Sequence, residues 1–390
     1  MNESKIPKRV SSAILNSLSS GVTPRIGLHY FAVGRKEETF LLLTDLENFS
    51  QGGSTFRLIV GRYGAGKSFL LQLLRNIALD QGFVVMDADL SLERRLVGSK
   101  GEGLKTYREL MKNLSLKTRP EGGALPVLLE KWISRIQAEV AAPSASFADQ
   151  AFLDEVERRI FASVNQMEEM VHGFDFASVI RNYWYGYLRD QTELKDNALR
   201  WLRGEFDSRA EAKAALGVRV IIDDSTWFDY IKIWSKFVTR IGYSGLIILL
   251  DEASNLYKMV SSVARLNNYE KILEIFNDTM QGRISSIGVY MAGTPQFVED
   301  RRRGLYSYEP LRSRLETRNS FLPGKSLPPG TLIHLRVLTM EEIFVLLKRI
   351  LEIYHTHWEI ESFVSDKDLE EFINQVVNKL GARELLTPRE

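Results

Sequence analysis

Short aliphatic runs punctuate a chain that is otherwise patterned for helices. Phe56-Arg57-Leu58-Ile59-Val60, Phe83-Val84-Val85-Met86, Gly245-Leu246-Ile247-Ile248-Leu249-Leu250 and Ser286–Thr294 are apolar almost throughout and bounded by glycine or polar residues. That pattern predicts strands buried on both faces of a parallel sheet. Around them the apolar spacing is helical. Val10, Ile14 and Leu18, four apart, predict a short helix over about 10–20, which Gly21, Pro24 and Gly27 break. Gly34–Glu38 leads into a helix carrying Phe40, Leu41, Leu43 and Leu46, and Gly52-Gly53 turns the chain into the first strand. Phe69–Leu74 opens a helix that runs to about Asp80, where Gly82 stops it. Residues about 104–240 read as mostly helical, with breaks at Pro120–Gly123, Ala141–Ser144, Gly173 and Gly204. Trp132, Trp184, Trp201, Trp227 and Trp234 give this stretch the means to bury a core of its own. Beyond Pro328 come one short strand (Thr331 to Arg336) and helices over about 340–356 and 366–379, a small helical lid. Pro388 after Thr387 reads as the start of another helix, so the domain is expected to continue past Glu390.

Composition narrows the class. By length alone, 390 residues suggest two or three structural units. A net charge of +1 leaves no global footprint for nucleic acid or membrane, so either would need a local patch. With no cysteine there are no disulfides, Cys-zinc sites or thiol catalysis, which suits a reducing cytosol. Of the five histidines, His355 and His357 fall on different faces of a helix, which argues against a zinc site. No apolar run approaches the roughly 20 residues that span a bilayer. Met1–Arg9 carries charge with no apolar core after it, so it is not a secretory signal. The expectation is a cytoplasmic protein that does not enter a membrane.

The densest chemical signal lies between the first strand and its helix. Gly61-Arg62-Tyr63-Gly64-Ala65-Gly66-Lys67-Ser68 fits G-x-x-x-x-G-K-[ST], a phosphate-binding loop, with Phe69 opening the helix behind it. Its glycines let backbone N–H groups turn inward around a polyphosphate, and the helix N-terminus adds a favourable field. Lys67 would reach the β- and γ-phosphates and Ser68 would ligate Mg²⁺. Leu249-Leu250-Asp251-Glu252 supplies the acidic partners at a strand end: Asp251 for the metal, usually through water, and Glu252 to orient the attacking water. The alternative is an Asp-Glu pair capping the next helix.

Other residues are open to two readings. Thr294, ending its strand, would hydrogen-bond the γ-phosphate or the attacking water, or serve only as a turn residue before Pro295. Arg312 and Arg314, with Arg303 behind them, are candidates for an arginine that stabilises transition-state charge in a neighbouring subunit's site. A solvated basic face, or DNA-phosphate contacts made by Arg301–Arg303, is the competing reading. Arg383 and Arg389 would reach the γ-phosphate from the lid, Arg389 with the better placement after Pro388. Asp223-Asp224 reads as a helix N-cap before Trp227. Tyr183-Trp184-Tyr185-Gly186-Tyr187 reads as helical core or a partner surface rather than a nucleobase-stacking platform.

Taken in order, strand, phosphate loop, strand, Asp-Glu strand, polar strand end, arginines and small lid resemble the AAA+ ATPases, in particular the origin-initiator-like branch. More closely, the chain resembles the BrxD-like ATP-binding proteins of BREX-type phage-defence islands. Besides Gly61–Ser68, that resemblance rests on Pro24-Arg25-Ile26-Gly27-Leu28, Val33-Gly34-Arg35, Asp87-Ala88-Asp89-Leu90-Ser91 with Glu93-Arg94-Arg95, and Thr106-Tyr107-Arg108-Glu109-Leu110. It rests also on Arg302-Arg303-Gly304-Leu305-Tyr306-Ser307-Tyr308 and Thr387-Pro388-Arg389-Glu390. It spans nearly the whole chain. It implies an α/β P-loop core that binds ATP or ADP, with an adenine pocket from Pro24–Arg35 that includes Arg25, Val33 and Gly34. It further implies nucleotide-dependent assembly into a homo-oligomer and work beside nucleic-acid-remodelling or modifying proteins of a defence system. One departure stands out: Lys67 and Asp251 lie much further apart than the two motifs usually do in AAA+ cores. The expected organisation is therefore a first part of the core (1–103), a helical insertion (104–240), a second part of the core (241–328) and the lid (329–390).

Two functions fit these residues. One is an ATP hydrolase that remodels DNA or a protein complex; the other is a slow-hydrolysing switch that recruits a helicase or methyltransferase. A P-loop kinase is disfavoured, because the Asp-Glu pair and the late arginines suit water as the acceptor.

Overall fold

The computed structural model describes residues 6–141, 150–316, 330–361, 364–380 and 387. Two helices, α1 (Lys8–Ser19) and α2 (Lys36–Ser50), precede β1 (Ser54–Val60), α3 (Lys67–Asp80) and β2 (Val84–Asp89). A helical stretch follows: α4 (Glu102–Lys112), α5 (Leu125–Val140), α6 (Gln150–Asn165), α7 (Gly173–Leu188), α8 (Thr192–Leu202), α9 (Arg209–Leu216) and α10 (Trp227–Arg240). The chain then forms β3 (Leu246–Asp251), α11 (Ser254–Tyr257), α12 (Ser262–Met280), β4 (Ile287–Gly293), α13 (Pro295–Glu299) and α14 (Glu309–Leu315). It ends with β5 (Leu332–His334), α15 (Met340–Trp358) and α16 (Asp366–Leu380).

The five strands form one sheet in the order β2-β3-β4-β1-β5. The β2–β3 and β1–β5 ladders are parallel. Every residue of β4 is buried, and β3 is buried up to its final aspartate, as the aliphatic runs require. β2 extends past its aliphatic run: Asp87, Ala88 and Asp89 continue the ladder opposite Leu249, Leu250 and Asp251. Backbone pairing thus overrides the low strand propensity of aspartate.

Two compact units divide the chain, and the division passes through β1 and β4. The first comprises Met1–Thr44, Arg57–Ile77 and Tyr290–Glu390. Within it α1 packs on α15, where Ser11 Oγ lies 2.8 Å from His357 Nδ1. Leu338, Ile343 and Ile373 form a small core with Phe344, Leu347 and Val376. α15 begins with a capping box in which Thr339 Oγ1 accepts from Glu342 N and Glu342 Oε2 accepts from Thr339 N.

The second unit comprises Asp45–Phe56 and Ala78–Val289. Its tryptophans form the core their number suggested: Trp184, Trp201, Trp227 and Trp234 are all below 2 % exposed. Each buried indole N–H needs an acceptor. Trp227 donates to Leu96 O (2.9 Å), Trp201 to Val220 O (2.8 Å) and Trp234 to Tyr107 Oη (3.1 Å). Tyr183 and Trp184 are fully buried, so that aromatic stretch contributes core. Asp223 Oδ1 accepts from Ser225 N and Thr226 N ahead of α10. Asp224 does something else. It accepts from Gly98 N (2.7 Å) and Leu104 N (2.8 Å), capping the start of α4 across a long sequence separation.

Candidate nucleotide site

Gly61–Gly66 forms a tight loop between β1 and α3, and Lys67 and Ser68 open the helix. Gly61 N donates to Gly293 O at 3.1 Å, tying the end of β1 to the end of β4. Ala65 N donates to Arg62 O, and Leu70 N to Gly66 O, where the α3 ladder starts. Gly64 and Gly66 have φ of 77° and 87°, the left-handed region that a side chain resists. By helix geometry the first N–H groups of α3 have no intrahelical acceptor, and an anion at that end would supply one. Lys67 Nζ donates to Gly61 O and Arg62 O, both at 3.0 Å, so the lysine lies along its own loop. Thr387 packs against Gly64: a Cβ placed there would come within 2.4 Å of Thr387 Oγ1. Tyr63 is exposed, while Ser68 and Phe69 are half-buried.

A buried arginine at the end of the Pro24–Arg35 segment anchors this loop. Arg35, only 5 % exposed, donates through Nη2 to Ala65 O (2.7 Å) and through Nη1 to Arg336 O (3.0 Å). Glu38 supplies the countercharge at 3.2 Å. Burial lowers the Arg35 pKa, and Glu38 opposes that shift. Arg336 in turn pairs with Glu342 through two guanidinium nitrogens. Those hydrogen bonds, more than any other cause, hold the Glu342 carboxyl down to about 2. Gly34 (φ 68°) sits so close to this region that a Cβ would lie 2.7 Å from Leu338 and Glu342 side-chain atoms. Val33 is half-buried and Arg25 exposed. The signal for Arg35 in the sequence was a Gly-Arg pair preceding a helix; its acceptors were not legible there.

The acidic pair belongs to the second unit. Asp251 ends β3 opposite Asp89 of β2, and its carbonyl accepts from Leu90 N. Glu252 is exposed and has φ of 54°, while its N–H donates to Asp251 Oδ1 at 2.7 Å. A glutamate in the left-handed region costs roughly 1–2 kcal/mol, and such strain concentrates at functional positions. The Asp89 side chain is exposed at the strand end, yet its pKa is raised, first by partial desolvation and then by the charges of Asp251 and Asp87. Among the described residues no group of three or more histidine or acidic side chains is poised to hold a metal. That fits Mg²⁺, which keeps its waters and takes one or two protein ligands beside substrate phosphates.

Thr294 caps α13, its hydroxyl accepting from Phe297 N at 3.4 Å. Arg312 pairs with Glu309 and, at 3.9 Å, with Glu316, while Arg314 donates to Pro310 O at 2.7 Å. Arg303 N donates to Asp300 Oδ1. Arg383 and Arg389 lie outside the described residues.

A five-stranded α/β sheet with a glycine-rich loop between β1 and the helix behind it is compatible with the P-loop nucleotide-binding class. Residues 6–390 match the family described as BREX system ATP-binding protein BrxC/D. The chain therefore belongs to the BrxC/BrxD family of BREX ATP-binding proteins. No curated protein matches it. No helix among the described residues is long and apolar enough to cross a membrane.

Proposed function

We propose that this protein binds ATP at Gly61–Ser68 and hydrolyses it to ADP and phosphate, working beside other proteins of a BREX defence system. The observation that carries this reading is the loop itself: two left-handed glycines, Gly64 and Gly66, lead into the N-terminus of α3, inside a chain of an ATP-binding family. Lys67 leaves the carbonyls of Gly61 and Arg62 for the β- and γ-phosphates, exchanging neutral acceptors for charged ones. Backbone N–H groups of the loop hold the phosphate chain, and the Arg25, Val33 and Gly34 segment receives the adenine. The Ser68 hydroxyl and the Asp251 carboxylate are each of the chemistry that would ligate the metal. When bound, Mg²⁺ neutralises charge on the phosphates and helps orient the terminal one for attack. Glu252 orients the water and takes its proton, and Thr294 donates to the γ-phosphate or to that water.

A second reading, a slow switch, has its own observation. Arg312 and Arg314 are each engaged within the chain, by Glu309 and by Pro310 O. An arginine serving a neighbouring subunit must first give up such contacts, so the isolated chain is expected to turn over slowly until it assembles.

Titration calorimetry and phosphate release test both readings. Lys67→Ala should abolish ATP binding, whereas Glu252→Gln should keep binding and lower turnover at least 100-fold, in the range of lost catalytic groups. Unchanged turnover in Glu252→Gln would remove Glu252 from the mechanism, and ATP binding by Lys67→Ala equal to wild type would refute the site. In single-turnover experiments the switch should release product over many minutes, and the hydrolase within seconds.

A further inference from the structure

Two of the sequence strings singled out above, Glu93-Arg94-Arg95 and Thr106–Leu110, have no part in the phosphate site. They meet in the second unit on the walls of a cleft of about 650 Å³. Arg94, Lys105, Arg108, Lys112 and Arg203 line it, against the carboxylates of Glu93, Glu109 and Glu205. In a chain whose overall charge is +1, this is a local concentration of cations.

The arrangement is built, not incidental. Lys105, Arg108 and Lys112 are spaced three and four apart on α4 and so share one helix face. The opposite face is pinned: Tyr107 Oη donates to Leu202 O (2.7 Å) and accepts from Trp234 Nε1. Arg108 Nε donates to Gly204 O (2.7 Å), which brings Arg203 and Glu205 to the cleft. On the other side Ser91 Oγ accepts from Glu93 N and Arg94 N, folding that loop into a turn. Thr106 Oγ1 donates to Arg95 O (2.6 Å), and Arg95 pairs with Glu102, which locks the turn onto α4.

The cations are only partly neutralised. Glu109 is shared by Arg94 at 3.3 Å and Lys112 at 3.8 Å. Arg203 lies 3.8 Å from Glu205. Arg108 reaches a solvent-exposed Asp207 at 3.6 Å. Among the described residues Lys105 is exposed and has no carboxylate within ion-pair distance. Exposed pairs of this kind are worth little and exchange readily for a stronger anion.

We propose that this cleft binds the phosphate backbone of a single nucleic-acid strand. From Lys105 to Lys112 the helix rises about 10 Å, the length of about three nucleotides at stacked spacing. Lys112 is largely exposed at the rim, so the cationic row continues out of the cavity, as a polymer requires and a small anion does not. Among the described residues no aromatic side chain lines the cleft, so bases have no stacking platform there and the contact reads backbone, not sequence.

Fluorescence anisotropy with a labelled 15-nucleotide poly-dT strand tests this on the full chain, with and without saturating ATP. Running it also in Lys67→Ala keeps its outcome separate from that of the nucleotide site. The double variant Lys105→Gln with Lys112→Gln should weaken binding about tenfold at 100 mM salt and flatten the log–log salt slope by about 1.4. The charge-matched control Lys117→Gln with Lys213→Gln should change affinity less than threefold. Matching thermal melts will show that the folds are intact. No binding by wild type, or an equal loss in control and test variants, overturns the proposal. Tripolyphosphate that binds Lys67→Ala where the strand does not, and is lost in the cleft variant, assigns the cleft to a small phosphorylated ligand and equally overturns the strand.

Discussion

Asp89 shows how a single carboxylate is set by its surroundings. It ends β2 opposite Asp251, and although its side chain is exposed, partial desolvation by the surrounding protein together with the charges of Asp251 and Asp87 raises its pKa above the ordinary 3.8. An acid whose folded pKa is raised binds its proton more tightly when folded, so stability falls as pH climbs from the unfolded value through the folded one. Because the side chain is exposed and its charges are screened by solvent, Asp89→Asn should raise the melting temperature at pH 7 by only about a degree, measured without nucleotide or magnesium. The gain should shrink to nothing as pH is lowered below about 3.8. A gain independent of pH would mean that packing, not charge, is responsible. At this scale the sequence was legible where the candidate residues are contiguous: Gly61–Ser68 and Asp251-Glu252 are read as strings. It was silent on Glu252's left-handed backbone, which depends on how β3 ends within the sheet.

Elements explain why Arg35 matters. Its guanidinium bridges the phosphate loop, at Ala65 O, to the segment that follows β5, at Arg336 O, while Glu342 at the start of α15 grips Arg336. A lysine keeps the charge but loses the fork that spans two carbonyls. Arg35→Lys should then leave a buried carbonyl unsatisfied, at a cost of about 1–3 kcal/mol. ATP affinity should fall about tenfold while far-UV circular dichroism is unchanged; calorimetry beside a thermal melt will separate the two effects. Equal ATP affinity in the variant would show that the loop holds its shape without Arg35. The helices and strands themselves were readable, because β1, β3, β4 and the α15 capping box carry local signatures. Asp224 was misread as a cap for the helix nearest in sequence, since it caps α4, and tertiary packing chose between the two.

At the scale of the whole molecule, the proposal of nucleotide-dependent assembly leads to a measurement of mass. Light scattering of Glu252→Gln with ATP and Mg²⁺ should give a multiple of the 44.6 kDa chain, and without nucleotide a smaller species. Arg312→Ala should reduce turnover of the assembled wild type at least tenfold without altering ATP affinity of the monomer. A mass indifferent to nucleotide would leave Arg312 and Arg314 as surface arginines held by Glu309 and Pro310.

Residue order by itself determined the aliphatic strands, the glycine loop, the acidic strand end and the tryptophan-rich helical block. Each depends on neighbours within a few positions or on bulk apolar content, and such forces leave local patterns. Only the tertiary structure decided the strand order β2-β3-β4-β1-β5, the register that sets Asp89 opposite Asp251, the acceptors of Arg35 and the cleft that gathers Arg94, Lys105 and Arg203. Those pairings join residues 30 to 301 positions apart in the case of Arg35 alone. A hydrogen bond or a shared cavity wall depends on where folding places two groups in space, and the chain between them carries no mark of it.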